Sequence, residues 1–338
     1  MHASIAVALA YDRHLNPNPS RRRSELLAEE CFHGSRSIAL FNEVLQHPIK
    51  AQHKDAVWGT AAFLAILAFS APAGTWLTSE ESWPLKTSTP SSSSPSSSLS
   101  PSSAASWSSD ISRVFPTPSA DQSYQPPDVS HQSASRNSPG TEPDDLQWLL
   151  VKEGKMSLWA ITDPLREDSI FHVMMPVYAT MFSPLPKSGI QGIHPALAAL
   201  YELDSDSNND GSPYFLPLHA LSRLLNLRSE NSTNGNSGSG QISIGHTEPF
   251  MNLIQGAFRA LLVAREPRAL LLLYLWYRRA GKVVWWIDLR ARVEGPAICE
   301  YLRRCCGHGP SRRVLDFLPG GCFADERSLR ASFWTSES

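Results

Sequence analysis

The sequence predicts an all-α fold, a helical bundle that a long Ser/Pro-rich insert interrupts. Three observations carry this prediction. Apolar residues recur at a spacing of three to four on both sides of the insert, and no segment alternates apolar and polar residues as a strand would. Residues 87–140 contain 21 Ser and 8 Pro in 54 positions. Such a segment cannot bury enough apolar area to offset its ordering entropy, so we expect it to be disordered.

The insert divides the chain into two helical parts. Residues 1–86 form the first part of the predicted domain, 87–140 the linker, and 141–318 the remaining helices. A shorter flexible break is expected at 229–240, which is rich in Asn, Gly and Ser. Residues 319–338 show no periodicity and are expected to be an irregular tail.

Three helices are predicted before the insert. Residues 1–10 form a short apolar helix rather than a signal peptide, because no basic segment precedes it. Ser20 can cap a second helix that runs toward Gln46, and Pro48 ends it. Asp55 is predicted to cap the third helix, which Pro72 and Gly74 would end.

The third helix raises the question of a membrane span, because residues 56–79 carry no charge. Counted from Ala56 to Pro72 it has only about 17 residues, the minimum for a bilayer. A helix that is apolar all round is more often the centre of a bundle, and we favour that interpretation. A membrane-associated protein anchored by residues 56–79 is kept as an alternative.

After the insert, each helix is predicted from its start and stop signals. Thr141 and Asp144 have the spacing of a capping box for a helix that stops at Asp163-Pro164. The later predicted helices are Pro195–Leu203, Pro217–Leu227, one apolar stripe from Phe250 to Leu262, Arg268–Ala280 ended by Gly281, and a pair over Val284–Arg304 interrupted at Gly295-Pro296.

The charge balance excludes a protein that is basic throughout, since 30 Lys and Arg stand against 32 Asp and Glu. Residues 257–313 nevertheless hold twelve Lys and Arg against four acids. We interpret them as solvated helix faces, several at helix C-termini where they complement the dipole. A basic face that binds nucleic acid is the alternative.

No catalytic motif is present: the sequence has no phosphate loop ending in Lys-Ser/Thr, no His-Glu-x-x-His and no Gly-x-Ser-x-Gly. We therefore expect no enzyme, and an enzyme of unrecognised type remains an alternative. One cluster has the side chains of a possible metal site, and it consists of Cys305, Cys306, His308 and Cys322. Adjacent cysteines are poor ligands for one tetrahedral zinc, so we expect no metal there.

Several short segments together resemble a known family. They are FHGSR at 32–36 with FNE at 41–43, DAVWGTA at 55–61, LQWL at 146–149, EGK at 153–155, WAITDPLR at 159–166, PRAL at 267–270, WY at 276–277, WW at 285–286 and YL at 301–302. They resemble the C-terminal regulatory domain of fungal zinc-cluster (Zn₂Cys₆) transcription factors of the sterol uptake control type.

The resemblance implies a nuclear protein, shuttling with the cytoplasm, that controls RNA polymerase II transcription. It implies as partners a second copy in a homodimer and the transcription machinery or a chaperone. The family reads DNA through an N-terminal zinc cluster with six cysteines, whereas this chain has five scattered ones. We therefore expect no zinc and no DNA binding by this chain, which is either truncated or has lost its DNA reader.

The resemblance also implies a sterol or another apolar ligand. We predict its pocket between the uncharged helix at 56–71 and the C-terminal helices, where the sequence is most apolar. The same side chains would also suit a packed core, and the sequence leaves both interpretations open. The predicted lining residues are Trp58, Phe63, Leu67, Phe171, Met174, Met175, Leu273, Trp276 and Trp286.

Overall fold

The computed structural model describes residues 1–16, 21–71, 147–227, 242–307, 310–322 and 324. Within these ranges the chain is helical and forms no strand; one isolated antiparallel bridge joins Ser188 to Asn208. The all-α prediction is confirmed. The predicted disordered segments at 87–140 and 229–240, the proposed capping box at Thr141 and most of the tail lie outside the described residues.

The α-helices are numbered here in chain order. They are α1 His2–Leu15, α2 Arg21–Leu45, α3 Lys54–Ser70, α4 Gln147–Ser157, α5 Trp159–Thr162, α6 Met175–Met181, α7 Pro195–Leu200, α8 Phe215–Asn226, α9 Ile244–Asn252, α10 Gly256–Val263, α11 Pro267–Ala280 and α12 Trp285–Cys305. Short 3₁₀ turns cover Ala51–His53, His172–Met174 and Pro310–Phe317.

Helix α3 lies at the centre of one half of the bundle. It packs against α1, α2, α4, α5 and α12, and Ala61, Leu64 and Leu67 are completely buried. Neighbours on several sides explain why this helix has no polar face. None of the helices in the described ranges combines the length and the hydropathy that a membrane span requires.

Helix α11 is the second buried centre. Every residue from Ala269 to Tyr277 is buried, and the helix packs against α8, α9, α10 and α12. Its start is set by Glu266, whose carboxylate accepts a hydrogen bond from the Ala269 N–H at 2.7 Å, and by Pro267 in the first turn. It ends at Ala280, before Gly281, as the sequence predicts.

The apolar stripe from Phe250 to Leu262 does not form one helix, which corrects the sequence-based expectation. Helix α9 ends at Asn252 and α10 begins at Gly256, whose φ of 53° lies in the left-handed region that favours glycine. The apolar residues keep their spacing across the break because both short helices direct their apolar residues toward the core. Phe250 and Phe258 contact edge to face with ring centroids 6.0 Å apart.

The predicted interruption at Gly295-Pro296 is absent, and α12 runs unbroken from Trp285 to Cys305. Pro296 is exposed, whereas Gly295 beside it is buried. Proline removes one helical hydrogen bond and frees the carbonyl four residues earlier, which belongs to the exposed Arg292. A carbonyl freed on a solvent-facing side can be hydrated, so the helix continues through the proline.

Asp55 does not cap its own helix, contrary to the prediction. Helix α3 begins one residue earlier, and its first turn has no side-chain cap. The Asp55 carboxylate instead accepts hydrogen bonds from Arg166 at 2.7 Å, from the Ser169 hydroxyl at 2.8 Å and from the Ile170 N–H at 3.0 Å. It therefore joins the start of α3 to the segment that follows α5.

Candidate functional site

A broad groove of about 1070 Å³ opens between α4, the end of α6 with the segment after it, the loop at 208–210, the start of α8 and the end of α9. Its size lies at the upper end of small-molecule sites in proteins. Its lining includes the apolar side chains of Met156, Met181, Phe182, Leu185, Leu216 and Leu253. The polar side chains of the lining include Lys152, Glu153, Ser188, Asn208, Asn209, Asp210, Asn252 and Gln255.

Among the charged groups that line the groove, Lys152 has the pKa that departs most from its ordinary value. Its ammonium donates a hydrogen bond to the carbonyl of Met251 at 2.6 Å, in the last turn of α9. Burial lowers the pKa of Lys152 to about 8, partly opposed by the carboxylates of Glu248 and Glu153. At neutral pH the groove therefore contains a cation that is only partly solvated and can bind a polar or anionic ligand group.

The polar rim of the groove is held by one backbone hydrogen bond and by two bonds between a side chain and the backbone. The Gly189 N–H donates to the carbonyl of Ser207 at 2.9 Å, and the carbonyl of Gly189 in turn contacts His219 Nε2 at 2.9 Å. Asn208 Oδ1 accepts a hydrogen bond from the Gly211 N–H at 3.0 Å. These bonds fix a loop with the exposed amide side chains of Asn208 and Asn209.

None of the nine side chains predicted to bind a ligand belongs to the lining of this groove. Leu67, Leu273 and Trp276 are buried in the core instead, and Trp276 stacks on Phe250 with ring centroids 5.6 Å apart. Trp286 is half-buried and lies edge to face with Trp285. The interface between α3 and the C-terminal helices is thus occupied by packed side chains.

The other predicted lining residues lie around the N-terminal half of α3 and the segment after α5. Trp58 is buried edge to face against Trp159 with ring centroids 5.1 Å apart. Phe171 covers Gly59 so closely that a Cβ there would lie 3.1 Å from its ring. Phe63 and Met175 are exposed and Met174 is half-buried. These nine residues therefore lie in separate places, and their role in ligand binding stays a prediction.

This aromatic cluster nevertheless contacts one residue that lines the groove. Trp159 contacts both Tyr178 and Phe182, with ring centroids 4.8 and 5.8 Å apart, and Phe182 lines the groove. Burial raises the pKa of Tyr178, whereas its hydrogen bond with Trp58 acts in the opposite direction. Trp58 and Phe182 are thus linked through a continuous set of ring contacts.

The basic residues at 257–313 are not all solvated, which corrects part of the sequence interpretation. Arg279 and Arg290 are buried, and both donate to carbonyls near helix C-termini: Arg279 to Leu224 at 3.3 Å, and Arg290 to Phe69 at 2.6 Å. Arg278, Lys282, Arg292 and Arg303 instead surround a second cleft, of about 730 Å³, between α11 and α12. Asp288 and Glu300 lie in the same cleft.

The cysteine cluster is only partly visible, because His308 lies outside the described residues. The Sγ atoms of Cys305 and Cys306 are 3.4 Å apart, and Cys322 is exposed. Among the residues that the structure describes, no group of three His, Cys, Asp or Glu side chains is placed to hold a metal ion.

Sequence reasoning missed the groove. Its walls come from segments that are far apart in the chain, and the polar loop at 208–210 has no periodicity that would mark it. The one available signal was Lys152, a lysine between the apolar positions Val151 and Met156 of a helix.

No protein-family model, no curated protein and no solved structure matches this chain. Its class is therefore defined by its own fold and site: an all-helical domain with a large groove lined by apolar and polar side chains.

Proposed function

We propose that this chain is the ligand-responsive regulatory domain of a fungal transcription factor of the zinc-cluster, sterol uptake control type. The observation that carries the proposal is that segments of the family resemblance, far apart in sequence, meet around α3. Asp55 pairs with Arg166 at 2.7 Å, and Trp58 contacts Trp159. At the other end of α3, Phe69 lies edge to face with Trp276, with centroids 6.2 Å apart.

The groove suits a ligand that is mostly apolar and has one polar end. Burying apolar area contributes about 25 cal/mol per Å², so Met156, Leu216 and Leu253 supply the affinity for an apolar body. The hydroxyl of a sterol needs a hydrogen-bond partner when it leaves water, and Lys152, Asn208 and Asn252 offer donors or acceptors. A sterol or a similar lipid is therefore the ligand class we propose.

Binding can be tested with purified protein and radiolabelled ergosterol. Leu216→Trp would place a bulky ring in the groove, and we expect it to abolish saturable binding at micromolar sterol. Val293→Trp introduces the same side chain at an exposed apolar site on α12, away from the residues that line the groove, and should bind like the wild type. Equal binding by both variants would exclude the groove, and no binding by folded wild-type protein would exclude a sterol ligand.

The regulatory role can be tested separately in cells. The chain is fused to a heterologous DNA-binding domain and expressed in a fungus that carries a reporter gene. We expect reporter output to change several-fold when sterol synthesis is inhibited, and Leu216→Trp to remove that response. A fusion that is nuclear and well expressed but leaves the reporter unchanged in every sterol state would contradict the transcriptional role, whatever the binding result.

A further inference from the structure

The C-terminal end of α12 carries two adjacent cysteines with their sulfur atoms in contact. Cys305 is the last residue of the helix and is exposed, whereas Cys306 is completely buried. Adjacent side chains on an α-helix diverge by about 100° around its axis, which normally keeps them apart. Here the backbone leaves the helix at Cys306, with φ −101° and ψ 9°, and the Sγ atoms approach to 3.4 Å.

The two thiols are also chemically unequal. A hydrogen bond from the Cys306 thiol lowers the pKa of Cys305, partly opposed by burial. The same bond and burial raise the pKa of Cys306. The exposed sulfur is therefore the better nucleophile, because the thiolate is the reactive form, and its partner holds a proton directly beside it.

We propose that Cys305 and Cys306 form a dithiol site that binds trivalent arsenicals. Two thiols cannot satisfy the four-coordinate preference of zinc, but an organic arsenic(III) centre needs only two sulfur ligands. The reaction with an arsine oxide involves no change of oxidation state. Two As–S bonds form while the arsenic–oxygen bond breaks, and the two thiol protons leave with the oxygen as water.

The other cysteines differ in ways that make the site selective. Cys31 is half-buried and Cys299 buried, and burial raises the pKa of both thiols. Cys322 is exposed and offers a matched control for a single accessible thiol. Chelation uses a second sulfur that is already 3.4 Å from Cys305, so an adduct at this pair resists competing monothiols better than an adduct at one thiol.

The test is intact-mass analysis of the folded full chain after treatment with phenylarsine oxide. We expect one adduct per chain that survives excess monothiol and is removed by 2,3-dimercaptopropanol. Cys305→Ser should lose this adduct, and Cys322→Ser and Cys31→Ser should keep it. Cys306→Ser should also lose it, and if that buried substitution unfolds the protein, the exposed Cys305→Ser variant decides.

Two results of the adduct measurement would overturn the proposal. One is folded wild-type protein without a monothiol-resistant adduct, and the other is an adduct that persists in Cys305→Ser. As a second measurement, the wild-type adduct should hide two thiols from alkylation in denaturant, and peptide mapping should place both at 305 and 306. Protection of any other cysteine would assign the chelate elsewhere.

Discussion

Arg290 of α12 donates a hydrogen bond from Nε to the backbone carbonyl of Phe69, 2.6 Å away in the last turn of α3. The same guanidinium reaches the carbonyl of Ala68 at 3.3 Å and forms a buried ion pair with Glu294. Carbonyls in the last turn of a helix have no intrahelical partner. A side chain 221 positions away in the chain thus completes the hydrogen bonding of the most apolar helix.

Arg13 of α1 acts in the same way on the next residue. It donates to the carbonyl of Ser70 at 3.3 Å and to both carboxylate oxygens of Glu30 at 3.0 Å. Both side chains of this pair are almost fully buried. Two arginine–glutamate pairs therefore provide the buried end of α3 with donors that apolar neighbours could not supply.

We expect Arg290→Met to lower the free energy of unfolding by about 3–5 kcal/mol, because it leaves the Glu294 carboxylate buried without its cation. Adding Glu294→Gln should recover part of the loss, since the amide can still accept the hydrogen bond that Tyr277 donates at 2.6 Å. Urea unfolding of both variants measures the difference.

The matched control is Arg304→Met on the same helix. Arg304 pairs with Glu300 at 2.7 Å, but both side chains are more than half exposed. Exposed pairs of this spacing contribute about 0.3–0.5 kcal/mol, so the change should be small. A loss below about 1 kcal/mol for Arg290→Met would contradict the role assigned to the buried pair.

Local signals predicted those helices whose ends depend on nearby residues. Pro267 and Gly281 mark α11, and Asp163 before Pro164 ends α5 with a φ of 43°. They failed where the outcome depends on distant partners. An aspartate at the start of a helix can cap it or form an ion pair, and only the fold brings Arg166 to Asp55.

The interpretation of charge failed for a related reason. Composition shows that Arg279 and Arg290 belong to a basic segment, but not that distant helices end beside them. A proline also has different consequences on different faces of a helix, and the sequence alone did not show that Pro296 would face solvent. The groove depends wholly on tertiary assembly, since its lining comes from five separate segments.

The contacts of Asp55 are expected to contribute to the free energy of unfolding, and this contribution should be lost at low pH. Burial would raise its pKa, but the hydrogen bonds from the Ile170 N–H, Ser169 and Arg166 outweigh it and lower the pKa below the ordinary 3.8. A lowered pKa in the folded state means that this stability is complete above 3.8 and is lost as the pH falls through the folded value.

Asp55→Asn should therefore cost about 1–2 kcal/mol at neutral pH, and the difference from wild type should shrink below pH 4. Thermal unfolding across this pH range measures it. Asp168→Asn is the control, because Asp168 pairs with the same Arg166 at 2.9 Å but is 81% exposed, so a change near zero is expected. Equal effects of the two variants would show that the contacts of Asp55 are not specific.

The two ends of the described chain around the insert are already in contact. Phe69 and Trp148 lie edge to face with ring centroids 4.7 Å apart, and α3 packs along α4. Replacing residues 87–140 by a short Gly/Ser linker should therefore shift stability by only about 1 kcal/mol, because loop-closure entropy changes slowly with length. Circular dichroism and thermal unfolding of the deletion variant check this. Loss of the cooperative transition would mean that the insert contributes to the fold.

Trp276 and Trp286 were both predicted to line a ligand pocket, and their burial now separates them. Trp276 is completely buried, stacks on Phe250 and donates from its indole N–H to the carbonyl of Thr247 at 3.0 Å. Trp276→Ala should cost about 3–5 kcal/mol, and the half-buried Trp286→Ala clearly less. Urea unfolding of the two variants gives the comparison. If Trp286→Ala loses more stability than Trp276→Ala, then Trp286 is the more deeply buried of the two, contrary to the structure.

The last prediction concerns Lys152 and the alkaline pH range. Its pKa of about 8 lies below the ordinary 10.5, because burial disfavours the ammonium. Below pH 8 the folded and unfolded chains both carry the proton, so the cost of burial is fully present. Between these two values the folded chain has released its proton while the unfolded chain keeps it, and stability rises with pH. Because the side chain is only half-buried, we expect a rise of about 1–3 kcal/mol.

Lys152→Met should remove this rise in urea unfolding at pH 7, 9 and 10.5. Lys187→Met, which changes an exposed lysine of the same groove, should retain it. If Lys152→Met still gains stability over this range, the gain comes from another group, and Lys152 is solvated more fully than its contact with the Met251 carbonyl implies.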